Sequence, residues 1–197
     1  KLPNNLQLMT VHSLQSVAFN KTIRARINAN MSLSTPVEGD IGGRVDENGQ
    51  LETSSMVSVE QRTLNRISRN CKLGRLVVTG QLPGSRIEKS EGIVGEIENS
   101  VLEEMDLADT TWQVEQIGRL TTKGTRRPLV TTFSEFQYES VPIAGEETMG
   151  EKWAEGVQKG ELWHPEGACI RFRFTLPSGS YATTLLREFM RTPLHQL

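Results

Sequence analysis

Long apolar runs are missing from this sequence of 197 residues. No stretch approaches the roughly 20 residues that cross a bilayer, and no secretory leader is visible. Cysteine is scarce too. Cys71 and Cys169 stand far apart, which argues against a disulfide-stapled scaffold and reads as two buried thiols in a reducing, cytoplasmic compartment. Neither sign of charge is in excess: 22 Lys and Arg face 24 Asp and Glu, for a formal net charge of −2. The chain as a whole therefore lacks the electrostatic signature of a nucleic-acid binder, and an anionic partner would need a segregated basic surface. His12, His164 and His195 combine with neither cysteine at a metal-ligand spacing. No phosphate loop ending in Lys-Ser/Thr, dinucleotide fingerprint, nucleophile elbow or internal repeat is found.

What is present is most informative between Ala168 and Met190. Ile170, Phe172, Phe174 and Leu176 alternate with Arg171, Arg173 and Thr175, which predicts a strand with one greasy and one basic face. Pro177-Ser178-Gly179-Ser180 breaks it. From Tyr181 the period becomes helical, with Leu185, Leu186, Phe189 and Met190 apolar, and Ser180 is the expected N-cap. Tyr181 thus stands at a strand–turn–helix corner, where free backbone N–H groups suit a planar, anionic ligand.

Upstream, Leu8, Val11, Leu14, Ala18, Phe19, Ile23 and Ile27 predict a long helix within residues 1–28, with Lys21, Arg24 and Arg26 as a solvated basic rim. Asn48-Gly49 predicts a hairpin between residues 41–45 and 51–59. A helix over 59–71 turns Leu64, Ile67 and Cys71 inward and Arg62, Arg66 and Arg69 outward. A short strand, Arg75 to Thr79, then ends in a loop over Gly80–Gly84. A helix over 91–107 carries Ile93, Ile97, Val101, Leu102 and Met105 inward. Glu96, Glu98, Glu103 and Glu104 form its solvated face, and Gly95 costs it roughly 1 kcal/mol against Ala unless close packing requires it. Lys123, Arg126 and Arg127 form the densest basic cluster. By residue type this is either a solvated loop or a phosphate contact. A strand over 130–140 is expected to pair antiparallel with 169–176. The Glu- and Gly-rich segment between them, 141–167, reads as a surface excursion anchored by Trp153 and Trp163.

Several of these segments carry a family resemblance. F-T-L-P-S-G-S-Y-A-T-T-L-L-R-E (174–188) resembles the C-terminal signature of the TruD family of tRNA pseudouridine synthases. L-M-T-V-H-S-L-Q-S-V-A-F-N (8–20) resembles a helix of that family's archaeal and eukaryotic branches, with Ser13 in place of the usual Ala. P-V-E-G-D-I (36–41), T-G-Q-L-P-G (79–84), G-E-I-E-N-S-V-L-E (95–103) and K-G-T-R-R (123–127) follow in family order.

The resemblance implies an enzyme that cleaves the uridine glycosidic bond in tRNA, turns the base and rejoins it through carbon 5, usually at position 13. It implies no cofactor or metal. Tyr181 matches the aromatic that packs on the flipped base, and the basic cluster Lys123, Arg126 and Arg127 becomes an RNA contact. Gly179, Ser180 and Arg187 become supports of the corner. The family's catalytic Asp lies in a G-x-K-D motif, and neither that motif nor the N-Y-F/Y-G segment with a second base-contacting aromatic occurs here. No catalytic residue is therefore assigned. The chain opens Lys1-Leu2-Pro3 without an initiator Met and reads as a piece of a longer polypeptide.

The expectation is an α+β fold of mixed helices with antiparallel strands. Residues 1–125 would form most of the family's insertion domain. Residues 126–197 would supply the last strands and helix of the catalytic domain. The expected partners are tRNA and the missing N-terminal half of that domain, with no membrane. The competing readings are a non-catalytic RNA-binding module and a plain protein-interaction domain.

Overall fold

Helix α1 spans Asn4–Asn28, as the apolar spacing predicts, but its inward face mixes polar with apolar residues. Ala18 and Phe19 are buried together with Gln15, Thr22 and Arg26, whereas Leu14 and Ile27 are exposed. The polar residues find partners inside the fold, so counting hydrophobic positions locates the core-facing stripe only in part. The computed structural model that shows this describes residues 3–141 and 169–190.

After α1 come β1 (Ile41–Val45), β2 (Leu51–Ser58), α2 (Leu64–Lys72), β3 (Leu76–Leu82), α3 (Gly92–Glu104), a short 3-10 turn (Glu115–Leu120) and β4 (Thr125–Pro128). The four strands form one sheet in the order β2-β1-β3-β4, every pair antiparallel. The β1–β2 hairpin turns at Asn48-Gly49, with Gly49 at φ +74°. Asp46 Oδ1 steadies that turn by accepting from the backbone N–H groups of Asn48 and Gln50. α1 packs on β3 and α3, and α2 meets β3. Ile41, Val59, Ile67, Val78, Val94 and Val101 complete the core.

The structure corrects two local expectations. β3 does not stop at Thr79. It runs on to Leu82 because β4 lies beside it, pairing Gly80 with Arg127 and Gln81 with Arg126. A partner strand more than 40 residues downstream is invisible to local pattern. α3 buries Val94, Gly95, Glu98 and Val101, while Ile93 lies on the exposed side. Gly95 is required by close packing: a Cβ there would sit 2.5 Å from the Ser90 carbonyl oxygen.

The chain forms two compact units, Lys1–Thr131 and Thr132–Leu197. The boundary lies past β4, since that strand completes the first unit's sheet. The second unit contains β5 (Ser134–Val141), β6 (Cys169–Thr175) and α4 (Ala182–Met190). β5 and β6 pair antiparallel as expected, Tyr138 opposite Phe172 and Gln137 opposite Arg173. Glu135 and Phe136 together face Phe174, a bulge in which Glu135 takes a left-handed φ of +52°. Phe136, Phe172 and Phe189 pack their rings with centroids 5.2 to 5.9 Å apart, which fastens α4 to the greasy face of the ribbon. The excursion over 141–167, with Trp153, Trp163 and His164, lies outside the described residues apart from Val141.

Candidate nucleic-acid interface

In the first unit, the K-G-T-R-R segment divides between surface and core. Arg126 is 4% exposed. Its Nε donates to Thr79 Oγ1 at 2.9 Å, and its Nη1 donates to the Glu88 carbonyl at 2.8 Å. Nη2 lies within hydrogen-bond reach of the Thr79 carbonyl, Ser90 Oγ and, at 2.8 Å, Glu98 Oε1. Glu98 is itself 3% exposed rather than part of a solvated acidic face. The guanidinium is thus committed to tying β4, β3, α3 and the loop before α3 together. That commitment removes Arg126 from the solvent-facing basic cluster in which the sequence grouped it.

Arg26 behaves the same way. It is 3% exposed, and its Nη1 and Nη2 grip both oxygens of fully buried Asp40 at 2.6 and 2.8 Å. Arg26 Nε donates to the Ser32 carbonyl, and Asp40 Oδ2 also accepts from the Val37 N–H. This bidentate pair closes the 12-residue link between α1 and β1. Sequence reading missed both buried pairs because Arg and Glu count as solvent-facing in any periodicity argument. The available signal was the family motifs themselves, since Asp40, Thr79, Glu98 and Arg126 all stand in motif segments.

The surface that remains is built by two loops pressed together. Ser85 N–H donates to the Thr122 carbonyl and Arg86 N–H to the Lys123 carbonyl, each at 3.0 Å. A Cβ on Gly84 would meet Gly124 N at 1.9 Å, and Gly124 itself holds φ +75°, so neither position admits a side chain without rearrangement. Gln15 Nε2 anchors the pair from α1, donating to the Pro83 carbonyl at 2.7 Å and to Thr122 Oγ1 at 3.1 Å. The motifs at 8–20, 79–84 and 123–127 therefore meet at one place. From it project two exposed cations, Lys123 and Arg86. Arg86 was not singled out from the sequence, because only the tertiary pairing of the loops brings it beside Lys123. Arg127 is half-buried, its guanidinium 5.5 Å from the centre of the Phe19 ring.

In the second unit, the strand–turn–helix corner has the expected form. Gly179 takes φ +83°, and Ser180 N–H donates to the Pro177 carbonyl at 3.1 Å. Tyr181, not Ser180, holds the position before α4. Its carbonyl accepts from Thr184 and Leu185. The Tyr181 residue is 66% exposed, a large aromatic held at the head of a helix. Arg187 is half-buried, and its Nε is closed off from solvent with no hydrogen-bond partner among the described residues. A buried donor of that kind ordinarily finds one. Lys123 and Arg86 belong to the first unit and Tyr181 to the second.

Among the described residues no group of His, Cys, Asp and Glu could hold a metal ion. Among the described residues no helix is long and apolar enough to cross a membrane. Cys71 is half-buried on α2, where burial, and then the negative charge of Asp40, push its thiol above the ordinary range.

Comparison with known proteins supplies what the site cannot. The sequence model of the family described as TruD, tRNA pseudouridine synthase D, matches residues 1–189. A probable tRNA pseudouridine synthase D of Methanosarcina mazei is 37% identical over 190 residues, covering 96% of this chain and 39% of the relative. One from Thermococcus sibiricus is 29% identical with the same coverage. A crystal structure of the putative tRNA pseudouridine synthase D from Methanosarcina mazei superposes with a TM-score of 0.76 at 35% identity, over 100% of this chain and 40% of that one. The chain thus spans about two fifths of the length of the relatives it matches. With its motifs in order and its fold shared over the whole length, the chain belongs to the TruD family of tRNA pseudouridine synthases.

Proposed function

We propose that this chain is part of an enzyme that isomerises uridine to pseudouridine in tRNA, at position 13 of the D arm, and that it contributes RNA-binding surface and one wall of the active site but not the nucleophile. The first unit acts as the larger part of the family's insertion domain, and the second as the last piece of its catalytic domain. The observation that carries the reading is the family match over residues 1–189 in a chain whose sequence contains no G-x-K-D motif. Tyr181, well exposed at the head of α4, is suited to stack on a base taken out of its helix, which offsets part of the few kcal/mol that flipping costs. Lys123 and Arg127, with Arg86, offer positive charge for phosphates. Gly179 and Ser180 shape the corner, and Arg187 supports it. The buried, unmatched Nε of Arg187 favours completion of this unit by residues beyond those described.

The test is pseudouridine formation on a tRNA transcript with uridine at position 13, using this chain alone and then with the remainder of the family's polypeptide added in trans. No product from the chain alone and product on complementation is the expected result. Product from the chain alone would mean that one of its own carboxylates is the nucleophile. Silence in both, with tRNA binding retained, would favour a non-catalytic RNA-binding module.

A further inference from the structure

A second basic surface lies at the other end of β3. Between Gln61 and Leu76 the sequence places Arg62, Arg66, Arg69, Lys72 and Arg75 without a single carboxylate. Arg62 pairs with Glu60. Arg66 and Arg75 instead line a groove of about 880 Å³ together with Arg44, Asn70, Asp46 and Glu47, between the β1–β2 hairpin, α2 and the start of β3. β1 brings Arg44 there by pairing it with Leu76. All three arginines are exposed, and no hydrogen bond or ion pair within the described residues engages their guanidiniums. Of the two acids, Asp46 already spends Oδ1 on the hairpin turn.

Three uncommitted guanidiniums around one concave wall are poor economy for stability, since exposed like charges repel. They suit a ligand that presents a row of anionic oxygens to planar donors. Leu76 and Leu82 mark the two ends of β3, so at roughly 3.3 Å per residue the groove lies about 20 Å from the Lys123 loop, which abuts the Leu82–Thr125 pair. We propose that this groove is an accessory phosphate-backbone site, which grips a second segment of the same RNA that the Lys123 and Arg86 loops contact. The inference rests on the reading of the chain as a tRNA binder and adds a second anchoring point to it. Two anchors that far apart fix the orientation of an RNA arm, which a single cluster cannot do.

The experiment is equilibrium binding of a labelled uridine-13 tRNA transcript to the 197-residue chain between about 50 and 200 mM salt. It compares wild type, R44A/R66A/R75A and K123A/R86A. Each phosphate contact contributes about 0.7 to 0.9 to the slope of log K against log salt. The triple variant is expected to lose about 2 to 3 from that slope. Extrapolated from 1 M salt, this is an affinity loss on the order of 100-fold at about 0.1 M. Its urea midpoint should not fall. Tighter protection of amides 64–76 from hydrogen exchange on adding tRNA would support the same site. An unchanged slope in the triple variant, with a reduced one in K123A/R86A, would overturn the groove while leaving the tRNA reading intact. A wild-type chain that binds no tRNA would overturn both.

Discussion

Removing the Arg126 guanidinium separates the two roles that this residue can have. In Arg126→Ala, Glu98 is left as a buried carboxylate with its charge partner gone. The Thr79 carbonyl, Glu88 carbonyl and Ser90 hydroxyl lose a donor as well. Breaking one side of a buried pair costs about 3–5 kcal/mol, because the remaining charge stays desolvated. Typical domain stabilities are about 5–15 kcal/mol, so the variant should lose at least about a fifth of its margin. Arg126→Met/Glu98→Leu removes both charges and fills the space, and should recover the part of that loss due to the unpaired carboxylate, while the Thr79 carbonyl and the Gln81 N–H stay without their partners. Urea unfolding of wild type, Arg126→Met, Glu98→Leu and the double variant measures the coupling directly. If Arg126→Ala instead kept its urea midpoint but bound tRNA more weakly, with a shallower salt dependence, Arg126 would be a phosphate contact and the structural assignment would be wrong.

Two further outcomes follow from the geometry. Gly95→Ala should destabilise by about 1–3 kcal/mol although Ala is the better helix former, since its methyl would meet the Ser90 carbonyl at 2.5 Å; thermal unfolding checks the sign. The Cys71 thiol, raised by burial and by Asp40, holds less thiolate at any given pH than a free cysteine. Its alkylation should be slow at neutral pH, with the rate profile displaced toward higher pH, and should become fast in denaturant. Alkylation in the folded chain as rapid as that of a cysteine peptide would refute this.

The sequence by itself determined where most elements lie, because their signals are local. Asn48-Gly49 can satisfy positive φ in a tight hairpin turn. The period-2 run over 169–176 separates a greasy from a basic face, and Gly179 lets the chain turn into α4. The motifs determined the family for a similar reason: they are strings of neighbours and need no folding to be read. What only the tertiary structure decided is which charges are spent inside. Arg26 and Arg126 look like any surface arginine in sequence, and the carboxylates that hold them, Asp40 and Glu98, lie 14 and 28 residues away. The same holds for Lys123 and Arg86, which become neighbours because two glycine loops press backbone to backbone. Arg44, Arg66 and Arg75 share one groove because β1 pairs with β3. A charge is placed by its partner, and where that partner is far along the chain only folding brings the two together.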